Sequence, residues 1–195
     1  AQPQAQTTAV SLPAHTNGLG DVLFPDRFTV DPGIETQPLT VRQKFGGYAR
    51  EQLGLSPFLA AGVSGAISQG LDSDPQYGQG WEAYGKRVGA ILIEGESVAI
   101  LREGFFPSIL HQDPRFYRKG SGGLVNRAVY AATRTLITRQ DSGKRAFNFS
   151  SILASGGAAG LTLAYYPDRS QNTTQVFETF ASNVGGIAIT NVFRE

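Results

Sequence analysis

Ser108, His111 and Asp113 lie close together in the segment SILHQDPRFYRK and are the residue types of a Ser–His–Asp nucleophile. Nearness in sequence does not make that chemistry, because a triad is defined by spatial geometry. The structural account of the same residues is simpler: His111 at a helix end bonds a backbone carbonyl, and Asp113 before Pro114 starts a turn. Glu94, Glu96 and Glu103 offer a second chemistry. Glycoside hydrolysis needs two carboxyls roughly 5–10 Å apart about a sugar cleft. Glu96 and Glu103 are seven positions apart, so one helix face carries both about 10 Å from each other. Ion pairing with Arg87, Arg102, Arg127 and Arg134 accounts for these glutamates equally well.

Asp72-Ser-Asp74 has the opening of a calcium loop, but Gln76 stands at the third ligand position and Gly78 falls one residue late. The other histidine, His15, lies in a proline-rich stretch. Metalloprotease, nucleophile-elbow, P-loop and dinucleotide-binding signatures are missing from the sequence. No catalytic, metal or cofactor-binding residue is assigned, and no cofactor is expected.

Helices must position whatever chemistry there is. Val88, Ile91, Leu92, Gly95, Val98, Ala99 and Arg102 follow the spacing of one helix face, within a long helix that Pro107 is expected to end or kink at Gly104-Phe105-Phe106. Thr40 is a good N-cap for a basic amphipathic helix over Val41 to Leu53, and Ser56-Pro57 opens another that ends near Gly70. Further helices are expected over Leu124–Thr138, over Phe147–Tyr166 with Asn148 or Ser150 as cap, and from Thr173 or Thr174 to the C-terminal end. ITRQDSGKR reads as a turn. Sustained two-residue alternation is lacking, so the expected class is all-α, a bundle of five to six helices.

Small residues recur four apart on these helices: Ala61 with Gly65, Gly62 with Ala66, Gly85 with Gly89, Ala154 with Ala158, and Gly156 with Gly160. That spacing lets a neighbouring backbone approach closely. Each interior glycine costs roughly 1 kcal/mol of helix propensity against alanine, and tight packing is the compensation expected. Residues 1–38 read instead as an extended proline-rich arm, with Leu23, Phe24, Phe28, Val30 and Ile34 as anchors for a groove on this chain or a neighbour. Residues 39–195 form the single helical domain.

The 195 residues carry a net charge of +1. The stretch from Arg115 to Arg145 is basic: Arg115, Arg118, Lys119, Arg127, Arg134, Arg139, Lys144 and Arg145 stand against Asp113 and Asp141. Such a stretch is either a solvated face or a contact for anionic lipid head groups. No nucleic-acid motif accompanies it, so nucleic acid is not an expected partner. Segments 52–71 and 146–167 are free of charge and long enough to span a bilayer. Their Gly, Ser, Ala, Gln and Asn content and a mean hydropathy of −0.16 favour a water-soluble or peripheral bundle. The chain has no cysteine and no methionine, even at position 1, and its polar start AQPQAQTTAV suits a segment just after a signal-peptidase cut. Export to the periplasm, outer membrane or exterior is the expectation.

The segments LHQDPRFYRKGSG, TRTLITRQDSGKRAFNFS and LTLAYYPD occur in this order. In them the chain resembles a group of exported proteins of environmental Gram-negative bacteria that share HQDPRY-like, TRxDSG, FNFSE-like and AYYP segments. The resemblance covers about Leu39 to Phe193, and Ser151 stands where the group has an acidic residue after FNFS. It implies an exported, periplasmic or outer-membrane-associated location and no particular activity. The functional expectation is an exported structural protein that assembles with copies of itself through helix faces and the arm. A helical outer-membrane pore or transport component is the alternative, and a glycan-acting hydrolase using Glu96 or Glu103 comes third.

Overall fold

The computed structural model describes residues 26–73, 75–161 and 173–195. His15, Leu23, Phe24, Asp74 and Asn172 lie outside the described residues. The molecule is mostly helical with a small share of sheet. Helix α1 (Val41–Gln52) starts where a capping box forms: Gln43 N–H donates to Thr40 Oγ1 at 3.3 Å, and Thr40 N–H donates to the Gln43 side chain at 2.9 Å. Helix α2 (Ser56–Gly70) has Pro57 in its first turn, where a missing N–H costs nothing. A 3₁₀ turn (Pro75–Tyr77) leads to α3 (Trp81–Ala99).

Of the end or kink expected at Gly104-Phe105-Phe106, what occurs is a change of helical register that finishes at Phe105. α3 passes into a π turn (Ile100–Phe105) and then α4 (Phe106–Ile109), with Pro107 in the first turn of α4. The wider turn absorbs the proline, because an i→i+5 register frees the donor position that proline lacks. Ser108 Oγ donates to the Gly104 carbonyl at 2.6 Å, which occupies an acceptor near the change of register. Helices α5 (Leu124–Thr133), α6 (Phe149–Leu161) and α7 (Thr173–Arg194) follow. Asn148 caps α6, accepting from Ser151 N–H at 3.0 Å.

The all-α expectation needs correction at two small sheets. β1 (Thr29–Val30) pairs in parallel with β3 (Phe116–Tyr117), while β4 (Ile137–Gln140) lies between β2 (Gln112–Asp113) and β5 (Arg145–Phe147), antiparallel to both. The supposed turn ITRQDSGKR is therefore a hairpin. Gly143, at φ +81°, supplies the left-handed residue of its tight loop. Strands of two to four residues are too short for alternation to show in the sequence.

α2 lies along α3, α6 packs on α3, the π turn and α7, and α5 packs on α7. Small residues let these helices meet. Ala61, Ala83, Ala131, Ala154, Ala158 and Ala159 are buried. A Cβ on Gly65 would stand 2.7 Å from Val88 Cγ2, so α2 and α3 touch through that glycine. Two rings seat on glycines in the same manner, Phe28 on Gly47 and Phe45 on Gly104. Phe28 and Val30, both arm residues, are thereby buried on the chain's own domain, whereas Ile34 is exposed.

Candidate functional site

Two buried groups of charges organise the interior. The first is centred on Lys44, which a helical-wheel reading puts on the polar face of α1 but which is 1% exposed. Its ammonium donates to Pro107 O at 3.0 Å, to Gln112 O at 2.9 Å and to both carboxylate oxygens of Asp141 at 2.9–3.0 Å. Three donors thus meet two carbonyls and one carboxylate, and none is left over. Gln112 continues the network, donating from Nε2 to Phe147 O at 2.7 Å and accepting from Ser150 N–H and Ser150 Oγ at 2.9 and 2.8 Å. α1, α4, the three-stranded sheet and the start of α6 are tied together here. The HQDP, TRQDSG and FNFS segments, separate in the sequence, meet around this lysine and glutamine.

The second group lies on the floor of a groove of about 550 Å³ between α2, α3 and α7. Ile91, Leu92, Gly95, Val98, Ala99 and Arg102, the apolar stripe read from the sequence, line it. Glu51, Glu103, Arg102 and Arg194 close the floor, with Asp26 beside them. Arg194 pairs with Glu51, and Arg102 pairs with Glu103. Burial nevertheless raises the Glu51 carboxyl to about 7, outweighing the pull of Arg194, and the nearby Glu103 and Asp26 charges push the same way. One oxygen each of Glu51, Glu103 and Asp26, together with Arg102 Nε, has no hydrogen-bond partner among the described residues. Glu96 stands higher on the wall and accepts from the Tyr48 hydroxyl at 2.9 Å. Burial first and this carboxylate second push the Tyr48 hydroxyl up to about 12.

The residues proposed for nucleophile chemistry do not converge. Ser108 is bonded to Gly104 O, and His111 is exposed with a left-handed backbone (φ +52°) whose carbonyl accepts from Asp141 N–H. Asp113 is buried and spends both oxygens on Arg115 and on the Tyr117 hydroxyl. Asp72 bonds Gln79 at 2.9 Å. Glu96 and Glu103 do share the groove, joined by Glu51, which sequence reasoning missed. Glu51 and Arg194 stand 143 positions apart, and no local pattern links them.

The eight basic residues form no single uniform face: Arg115, Arg134, Arg139 and Arg145 gather about the hairpin, and the others stand apart. Arg115 pairs with Asp113, Arg118 with Asp31, and Arg127 with Glu195, while Lys119 bonds Asn126. Arg134 and Arg139 stack over the rings of Tyr130 and Tyr117, at 4.6 and 4.0 Å. Lys144 and Arg145 are exposed on the hairpin.

The small-residue rows also divide. Ala61, Gly65, Ala154 and Ala158 are buried between helices, Gly62 faces the Tyr84 hydroxyl, and Gly156 approaches Phe180. Ala66 is exposed, and a Cβ on Gly85, Gly89 or Gly160 would meet nothing within 4 Å. Comparison of the chain with protein-family models, curated proteins and solved structures finds no match.

Proposed function

We propose that this is an exported structural protein that assembles with copies of itself, through helix faces and the N-terminal arm. The observation that carries the reading is the uncovered row Trp81–Gly85–Gly89–Ile93 along α3. Trp81 is 86% exposed and Ile93 52% exposed, and no described residue would lie within 4 Å of a Cβ on either glycine. Successive steps of four residues form a ridge, and two glycines at its middle make a notch into which a second helix backbone fits. The notch matches its own copy, which suits a two-fold contact.

The distribution of polarity supports the same reading. Arg87, Lys44 and Glu103 are among the largest fully buried side chains, while Leu53, Leu124, Phe177 and Phe193 stand outside. Uncovered apolar side chains of this size are in keeping with an interface. Among the described residues no helix is long and apolar enough to cross a membrane. The cysteine-free composition is consistent with export.

Size-exclusion chromatography with light scattering tests the assembly. The protein is expected to run as an oligomer at micromolar concentration, and Gly89→Ile, which fills the notch without meeting this chain, is expected to run as a smaller species with unchanged helicity. A wild-type monomer defeats the reading, and flotation with liposomes replaces it by the membrane-associated alternative.

A second reading, a glycan-acting hydrolase, is favoured by one observation: the groove gathers Glu51, Glu96 and Glu103, and Glu51 has the raised pKa of a general acid. Release of reducing ends from peptidoglycan strands, lost in Glu51→Gln, is the result that would support it. Equal turnover in wild type and variant removes it.

A further inference from the structure

Behind the β4–β5 hairpin lies a second cavity, of about 40 Å³, lined by Tyr117, Tyr130, Arg134, Thr138, Arg139 and Asn148 among others. We propose that this cavity binds a single phosphoryl group, held by the guanidinium groups of Arg134 and Arg139 that line it, with Arg145, the strand partner of Arg139, adding its charge from outside the lining. Arg139 and Arg145 are direct partners across the antiparallel pair. Like charges so placed repel, and a sheet has no reason of its own to put two arginines there. Arg134, at the end of α5, adds a third. Burial lowers its pKa first, and the positive charges of Arg145 and Arg139 lower it further, so the three guanidiniums feel one another.

No member of the trio makes an ion pair among the described residues. Asp113 is the register partner of Arg139 on the other side, but its oxygens are taken by Arg115 and Tyr117. Arg115, Arg134, Arg139 and Arg145 thus face one carboxylate. On the far wall, Arg102 and Arg194 are neutralised by Glu103 and Glu51. The excess positive charge is local to the hairpin.

The donors are also held in place. The Tyr130 ring lies under the Arg134 guanidinium and the Tyr117 ring under that of Arg139, which fixes both planes. Tyr130 is itself anchored by its hydroxyl, which donates to Tyr117 O at 2.8 Å. Arg134 Nε is buried with no acceptor among the described residues, although a guanidinium is built to offer paired N–H groups to an oxyanion. At about 10–15 Å³ of such space per water, the cavity has room for roughly three waters, the scale of one tetrahedral oxyanion and too little for a nucleoside.

The test is calorimetric titration of the full chain with inorganic phosphate, at constant ionic strength balanced with chloride. Saturable binding is expected at millimolar phosphate or below. Arg139→Gln and Arg145→Gln, both exposed on the hairpin, are expected to weaken it about tenfold each. Without phosphate, Arg145→Gln is expected to melt at the same temperature as wild type or higher, because it relieves the repulsion. Arg134→Gln is the stricter variant, and Arg139→Gln carries the test if Arg134→Gln does not fold.

Flotation with phosphatidylglycerol vesicles, competed by free phosphate and weakened in Arg139→Gln, assigns the phosphoryl group to a lipid head group. Phosphate binding without flotation assigns it to a soluble phosphoryl compound. No saturable phosphate binding, or binding unchanged in Arg139→Gln and Arg145→Gln, overturns the proposal.

Discussion

Lys44 and Glu51 sit on the same helix, seven residues apart and both buried, yet the structure treats them in opposite ways. Lys44 is fully answered by two carbonyls and the Asp141 carboxylate. Glu51 has Arg194, but one buried oxygen of Glu51 and one of Glu103 have no partner among the described residues, and both residues line the groove. The difference teaches how to tell a joint from a site. A charge whose donors are all used can only hold pieces together. A charge left partly unanswered beside open space can still interact with something else.

The largest expected effect comes from breaking the joint. Lys44→Met keeps the bulk of the side chain but leaves Asp141 and two carbonyls without their donor. Removing one member of a buried pair costs about 3–5 kcal/mol. A loss of that size in urea denaturation, or outright failure to fold, is expected. A loss under about 1 kcal/mol would show that water replaces the ammonium and that the joint is not one.

The second effect sharpens the contrast from the other side. The Glu51 carboxyl is raised from 4.5 to about 7 in the folded chain, so the folded state holds a proton that the unfolded chain has already released. Stability from this group is full below about 4.5 and is lost as pH rises through about 7. Glu51→Gln is neutral throughout. It is expected to flatten the slope of melting temperature against pH across that window and to match or exceed wild type above it. A wild type whose melting temperature rises across the window would reverse the assignment.

The smallest effect is on the wall of the groove. Tyr48→Phe deletes one partly exposed hydrogen bond to Glu96 and is expected to cost about 1 kcal/mol in the same denaturation assay. A loss as large as that of Lys44→Met would make the groove wall, too, a structural joint.

Local signals made the helices legible. Thr40 with Gln43, Pro57 after Ser56, and Asn148 before α6 are cap and first-turn residues whose effect is confined to one turn, and each element starts at or next to its signal. Pro107 marked where the regular helix is interrupted, but the form of the interruption, a change of helical register, is one that no residue type announces. The two charge groups were not legible. Lys44 and Asp141 are 97 positions apart, and the sequence shows each only as one more surface charge. The hairpin was hidden by its shortness. The candidate glutamates were readable as a pair on one helix, but the third carboxylate came from α1 and its arginine from the end of α7.

The pairing of β1 with β3 has a consequence for the order of events when the chain folds. Phe116 N–H donates to Phe28 O at 2.6 Å and Arg118 N–H to Val30 O at 3.0 Å, across most of the length of α1, α2 and α3. Phe28 and Val30 are among the first described residues to be synthesised, and although Phe28 has Gly47 of α1 to pack on, the strand pairing must await β3. Until then the backbone groups of β1 have no strand partner. The strand of the arm is thus made early and paired late.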